Sequence, residues 1–136
     1  MRPTEIPLDE CWRLLENESF GRLAVTTSTG VDIFPINFTA HERALFFRTA
    51  PGTKLIDVSL QARVAFEIDG REAGMHWSVV VRGEATRLNS DAEIAASGIQ
   101  SLHTATPTAK WNYVRILATA VTGRTFSLLE ELSEPR

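Results

Sequence analysis

The sequence predicts a mainly β domain, an antiparallel barrel carrying short helices at its periphery. Six stretches read as strands, most of them with apolar residues at alternate positions, the period of a half-buried strand. Helical spacing occurs in only two or three short stretches, and strands do not alternate with helices along the chain, which argues against a parallel α/β sheet. The 136 residues, 43% of them apolar, suffice for one core and are short for two. A single domain over residues 1–136 is expected, with its core between about residues 8 and 126.

Leu8 to Glu16 reads as an amphipathic helix, with Pro7 at its start and Leu8, Cys11, Trp12 and Leu15 at helical spacing. Gly21 to Thr27 is the first strand, Leu23 and Val25 alternating with Arg22 and Ala24, and Ser28 to Gly30 form a turn. Asp32 to Ala40 follows, with Ile36 and Phe38 on one face and Pro35 and Asn37 on the other. Pro35 cannot donate to a ladder, so this strand belongs at an edge, a bulge or a strand start.

The turn His41-Glu42-Arg43 leads into the strand Ala44 to Arg48, and a short helix is expected from Gly52 to about Leu60. Ala62 to Asp69 is a strand with Val64, Phe66 and Ile68 inward, ending at the turn dipeptide Asp69-Gly70. Trp77 to Leu88 is a long strand in which Gly83 marks a bulge or close approach. Ser90 and the acidic residues after it cap a helix to about Leu102. Trp111 to Phe126 is the last strand, with a break expected near Thr122-Gly123, and Ser133 to Arg136 form a frayed tail.

Composition removes several function classes. Net charge is −3, with 14 basic and 17 acidic residues dispersed along the chain, so the basic stripe of a nucleic-acid binder is missing. The N-terminus lacks the apolar segment of a signal peptide, and no stretch approaches the roughly 18 apolar residues of a membrane span, so a cytoplasmic protein without a membrane partner is expected. Cys11 is the one cysteine; it excludes an internal disulfide and reads as a packing residue in a reducing compartment. His41, His76 and His103 show no metal-ligand spacing, and no nucleophile motif supports hydrolysis. Glu67 and Asp69, two apart on one strand face, have a spacing that could pair carboxylates but read rather as the solvated face and turn end of that strand.

One cluster carries chemistry. Arg48, Thr49, Thr53 and Lys54 put a guanidinium, two hydroxyls and an ammonium within seven positions, where a strand gives way to a helix. Those groups suit a phosphate, to which a helix N-terminus adds free N–H groups. Solvated loop charges are the plainer reading. Neither a nucleoside-triphosphate loop nor a dinucleotide fingerprint is present to explain the cluster. The aromatic residues Phe34, Phe38, Phe46, Phe47, Phe66, Trp77 and Trp111 are also many for a small barrel interior, so some are expected at an interface or a ligand.

The order of landmarks then matters. A short helix, GRLAV, IFPINF, FFRT followed by GTKL, VAFEID, WSVVVRGEA and VTGR occur in series from about Leu8 to Phe126. The series resembles the pyridoxamine 5′-phosphate oxidase-like family of six-stranded split β-barrels. The resemblance implies a homodimer with a flavin at the subunit interface, FMN in most members and a deazaflavin coenzyme in one branch. It places the phosphate on Arg48, Thr49, Thr53 and Lys54, and the ring edge beside Ile36, Asn37, Phe38 and Phe47. Trp77 and Ser78 match positions that reach the flavin from the partner, and Arg124 a cationic position near the site. The substrate motif R-L-x-P is replaced here by Arg115-Ile116-Leu117-Ala118, which argues against pyridoxamine phosphate oxidation. His76 and Thr125 stand where related sequences carry Gly and Arg.

Three functions remain open from the sequence. The first is an FMN-dependent oxidoreductase acting on a small conjugated or aromatic substrate, with no protein residue as catalytic acid or base. The second is a deazaflavin-dependent reductase, its polyanionic tail met by Arg63, Arg71 or Arg82. The third is a flavin carrier or sensor whose ring face is stacked shut by Trp77 or Trp111. Arg22 reads either as a charge near the ring or as part of a surface ion pair.

Overall fold

A computed structural model of the chain describes residues 4–27, 30–49, 62–88 and 112–127, together with Ala92, Ala95 and Ala96. Its elements are β1 (Thr4–Glu5), α1 (Leu8–Glu16), β2 (Phe20–Thr27), β3 (Gly30–Asn37), β4 (Thr39–His41), β5 (Ala44–Thr49), β6 (Ala62–Glu72), β7 (Met75–Arg87) and β8 (Asn112–Phe126). All strand pairs among these residues are antiparallel, in the order β3-β2-β6-β7-β8-β5-β4, with β1 on β8. β3 and β4 stand at opposite ends of that order, yet only Phe38 separates them in the chain. The sheet must therefore curl until its two edges approach each other at Phe38, and this closure is the split barrel.

The expected strand Asp32–Ala40 is thus two strands. Phe38 leaves the ladder because its N–H donates to Ser19 O at 3.0 Å while its ring turns into the core. Pro35 lies in β3, at one end of the strand order, as its missing donor requires. β1 was not expected from the sequence.

Two other expectations are corrected. The hairpin turn is at Ala73-Gly74 rather than Asp69-Gly70, with φ of 52° and 77° at its two residues. Asp69 and Gly70 instead continue β6 opposite Ser78 and Trp77, where the absent Cβ of Gly70 leaves room for the indole. β8 runs unbroken through Thr122-Gly123, and the irregularity lies between Arg82 and Gly83, as Gly83 itself indicated. There an added Cβ would stand 2.2 Å from Leu117 O.

Alternation along each strand builds the core. Leu23 and Val25, Val64, Phe66 and Ile68, Val79 and Val81, Val114 and Ile116 all turn inward and are buried. Phe38 meets Phe66 edge to face at 4.7 Å, a pairing that contributes about 1 kcal/mol beyond its buried area. Phe38, Phe47, Phe66 and Trp77 all find room inside, so the count of aromatics did not require them elsewhere. Trp111 and the helices expected at 52–60 and 90–102 lie outside the described residues, apart from Ala92, Ala95 and Ala96.

α1 packs against β4, β7 and β8 through Cys11, Trp12 and Leu15, whereas Leu8 is 53% exposed. Asp9 and Glu10 lie in its first turn, where the helix dipole favours negative charge. Arg43 ties the helix to the β4–β5 turn: it bonds Asp9 at 2.6 Å and lies over the Trp12 ring. No helix among the described residues is long and apolar enough to cross a membrane.

Candidate functional site at the barrel seam

Residues paired across strands share a face of the sheet. The candidate site residues therefore sort into two sets. Ile36, Phe38, Phe47 and Trp77 turn inward and pack in or against the core. Their side chains hold the barrel together, so a ligand reaches them only through backbone or incidental contact. Thr49, half-buried, follows the inward alternation. Asn37, Arg48, Ser78 and Arg124 face outward.

At the seam, the β4–β5 register runs from His41↔Ala44 to Thr39↔Phe46. Beyond Thr39 that pairing ends: Phe38 leaves the ladder and Asn37 pairs with Phe20 of β2, so Asn37 and Arg48 lie on the two strands that part at the split. An exposed amide and a half-buried guanidinium thus flank the split. Thr53 and Lys54 lie outside the described residues. On the same face Tyr113 is the register partner of Arg48, and Arg115 is the partner of Phe46 and Thr86. Arg115 Nε and Thr86 Oγ1 are both buried with no hydrogen-bond partner among the described residues. Arg115 also lines a cavity of about 300 Å³ floored by Phe46, Leu88 and Leu117. Arg48 and Arg115 supply guanidinium donors, and Thr86 a hydroxyl, of the kinds that bind a phosphorylated ligand.

The second set lies far away. Ser78 pairs with Arg124, eleven positions along β8 from the Tyr113 that pairs with Arg48, or roughly 36 Å of strand. Arg124 opens onto a groove of about 700 Å³ shared with Glu5, Val80, Arg82 and Thr122. His76 stacks on Phe126 with ring centres 5.2 Å apart and comes within 3.7 Å of Asp69. Arg22 is held by Glu67 and, at 2.8 Å, by Asp69, so of its two readings the structure shows the surface ion pair. The Asp69 hydrogen bond, followed by that of Glu67, raises the Arg22 pKa above its ordinary value. Arg63, Arg71 and Arg82 lie on β6 and β7, neither of which borders β5.

Sequence reasoning missed Arg115 and Tyr113 as neighbours of Arg48. Their alternation in β8 was legible, but only the pairing of β8 with β5 brings them there.

A sequence profile described as pyridoxamine 5′-phosphate oxidase matches residues 7–125. Uncharacterised proteins from two Mycobacterium tuberculosis strains are 37% identical over 84 residues, covering 62% of this chain and 76% of theirs. Among solved structures, the FAD binding protein from Mycobacterium smegmatis is 41% identical, with a TM-score of 0.80 over 92% of this chain and 99% of that one. A Corynebacterium glutamicum protein described as a candidate pyridoxamine 5′-phosphate oxidase is 39% identical, with a TM-score of 0.80 over 93% and 100%.

Proposed function

Because the chain belongs to the pyridoxamine 5′-phosphate oxidase family, we propose that it is a flavin-dependent oxidoreductase working as a homodimer. The flavin phosphate sits at the seam on Arg48, Thr49, Thr53 and Lys54, with Asn37 beside the ring. Ser78 and Arg124 come from a second copy. The seam by itself needs only the phosphate that FMN carries. The 41% identical Mycobacterium smegmatis protein, which binds FAD, supports the flavin reading.

The separation of the two outward sets carries this proposal. Roughly 36 Å of strand contour lies between them, the upper limit of their separation, and we take them to be too far apart for one flavin to meet both within one chain. In the proposed dimer a two-fold axis relates the copies so that the seam of each meets the far end of the other. The outer face also has an apolar region for such a contact: Val31 and Ile33 are 68% and 67% exposed, beside a hollow of about 470 Å³ with Ala24 and Ala65 in its wall.

A bound flavin supplies a ring that accepts or gives hydride; the protein binds and orients it, excludes water and sets the charge around it. With Trp77 buried under Gly70, that indole does not cap a ring at the seam. Trp111, the other candidate lid, lies outside the described residues, and we take the ring face to be open to a small conjugated substrate. The buried Cys11 thiol suits a reducing cytoplasm.

Changing Arg48 and Lys54 together to Ala tests the phosphate site. The expected variant is a folded dimer that has lost its visible flavin absorbance. Unchanged flavin content refutes the assignment.

A further inference from the structure

We propose that the outer-face cavity beside Arg115 binds a small monocarboxylate carrying one aromatic ring. The site draws on neither the flavin nor Arg48. It is built on a row of three residues across β5, β8 and β7. Phe46 pairs with Arg115 and Arg115 with Thr86, so all three share the outer face. Arg115 Nε and Thr86 Oγ1 are buried there with no hydrogen-bond partner among the described residues. Buried polar atoms nearly always have a partner, so two side by side mark a place where a ligand oxygen or an ordered water belongs.

The space beside them has the character of a ring site. The cavity encloses about 300 Å³, with Phe46 and Leu88 buried in its floor and Arg115 in its wall. Leu117, 48% exposed, and His41 stand at its mouth. An apolar cavity of about 150 Å³ holds a benzene ring, so this one has room for a ring and the carboxylate attached to it. A ring on the Phe46–Leu88 floor buries its apolar faces while its acid group meets the guanidinium at the side.

Charge selects the acid group. Arg115 makes no ion pair among the described residues, and a partly buried guanidinium without a counter-ion favours an anion over a neutral ligand. Its planar fork matches the two oxygens of a carboxylate, and the Thr86 hydroxyl adds one neutral donor. One positive charge balances one negative charge. A phosphate dianion asks for more, and Glu84 opposes it: Glu84 lies on the same face two positions before Thr86, one diagonal from Arg115. Glu42, the acidic residue of the lining, is 85% exposed and turns toward His41, at 3.7 Å.

The test is isothermal titration of the purified protein with benzoate, benzamide, acetate and inorganic phosphate, for the wild type and two variants whose folding is checked by circular dichroism. Arg115→Met keeps the aliphatic stem and removes the charge. Leu117→Trp, at a half-exposed position, fills the mouth and leaves Arg115 in place, so it decides alone if Arg115→Met does not fold. Benzoate is expected to bind the wild type with a Kd of about 1 mM or tighter, an affinity within reach of a ligand of that size. Benzamide lacks the charge, acetate the ring, and phosphate both the ring and the single charge; each is expected to bind about tenfold more weakly or worse. Each variant is expected to weaken benzoate by a similar factor. No binding of benzoate by the wild type, benzamide or phosphate binding as tight as benzoate, or unchanged benzoate affinity in a folded variant overturns the site. Flavin absorbance of the same samples reports the seam separately, so failure of either assignment leaves the other standing.

Discussion

At the scale of single residues, close approach decides more than charge. Gly83 passes so near Leu117 O that a methyl group there meets backbone, which cannot swing away. Gly83→Ala is therefore expected to destabilise the chain by about 2 kcal/mol, measured as a lower urea midpoint at unchanged slope. Cys11 is buried beneath Gly123, and burial, followed by the nearby Glu10 charge, raises its thiol pKa. The folded state thus prefers the neutral thiol. Its stabilising effect is complete below the ordinary thiol pKa of about 8.5 and is lost as pH rises toward the raised folded value. Wild-type stability should fall above that pH, a fall that Cys11→Ala should lessen, and the native thiol should resist aromatic disulfide reagents until denaturant is added. The residue types of the anion cluster were legible in the sequence, but the direction of their neighbours was less so. Ala44 to Phe47 are buried on both faces, Phe46 under a separate cluster with Leu88 and Tyr113, so this run has no alternation that singles out Phe47 as a core residue. The inward set of Ile36, Phe38 and Trp77 could be read from the period of two once the strands were placed.

At the scale of elements, strong periodicity was readable and turn position was not. α1 lies over the expected residues because its stripe of Cys11, Trp12 and Leu15 fits a single period. The β6–β7 hairpin runs past Asp69-Gly70 because Arg22 binds Asp69 and the indole of Trp77 occupies the space over Gly70. The turn is closed by Ala73, whose φ of 52° is left-handed and disfavoured for a residue with a Cβ. Ala73→Asn is expected to stabilise the hairpin by about 1 kcal/mol, seen as a higher melting temperature. Gly74→Ala, at φ 77°, should act in the opposite direction. The β4–β5 turn carries positive φ at Glu42 and Arg43, a cost offset by the hold of Arg43 on Asp9 and Trp12.

At the scale of the whole molecule, the barrel follows from one chain connection. Phe38 joins two strands that stand at opposite ends of the sheet order, and the seam it creates holds Asn37 and Arg48. A sequence shows which stretches are strands but not which strand neighbours which, so the distance between Arg48 and Arg124 emerged only from the fold. That distance motivates a site shared by two copies, each giving what the other lacks. The most direct test mixes two inactive binders, one chain with Arg48 and Lys54 changed to Ala and one with Ser78 and Arg124 changed to Ala, under conditions that exchange subunits. Flavin absorbance is read before and after mixing. A shared site predicts little flavin on either variant alone and recovery of about a quarter of the sites in the mixture, since half the dimers are mixed and each holds one intact site. No recovery, or full flavin on the Ser78/Arg124 variant alone, contradicts it.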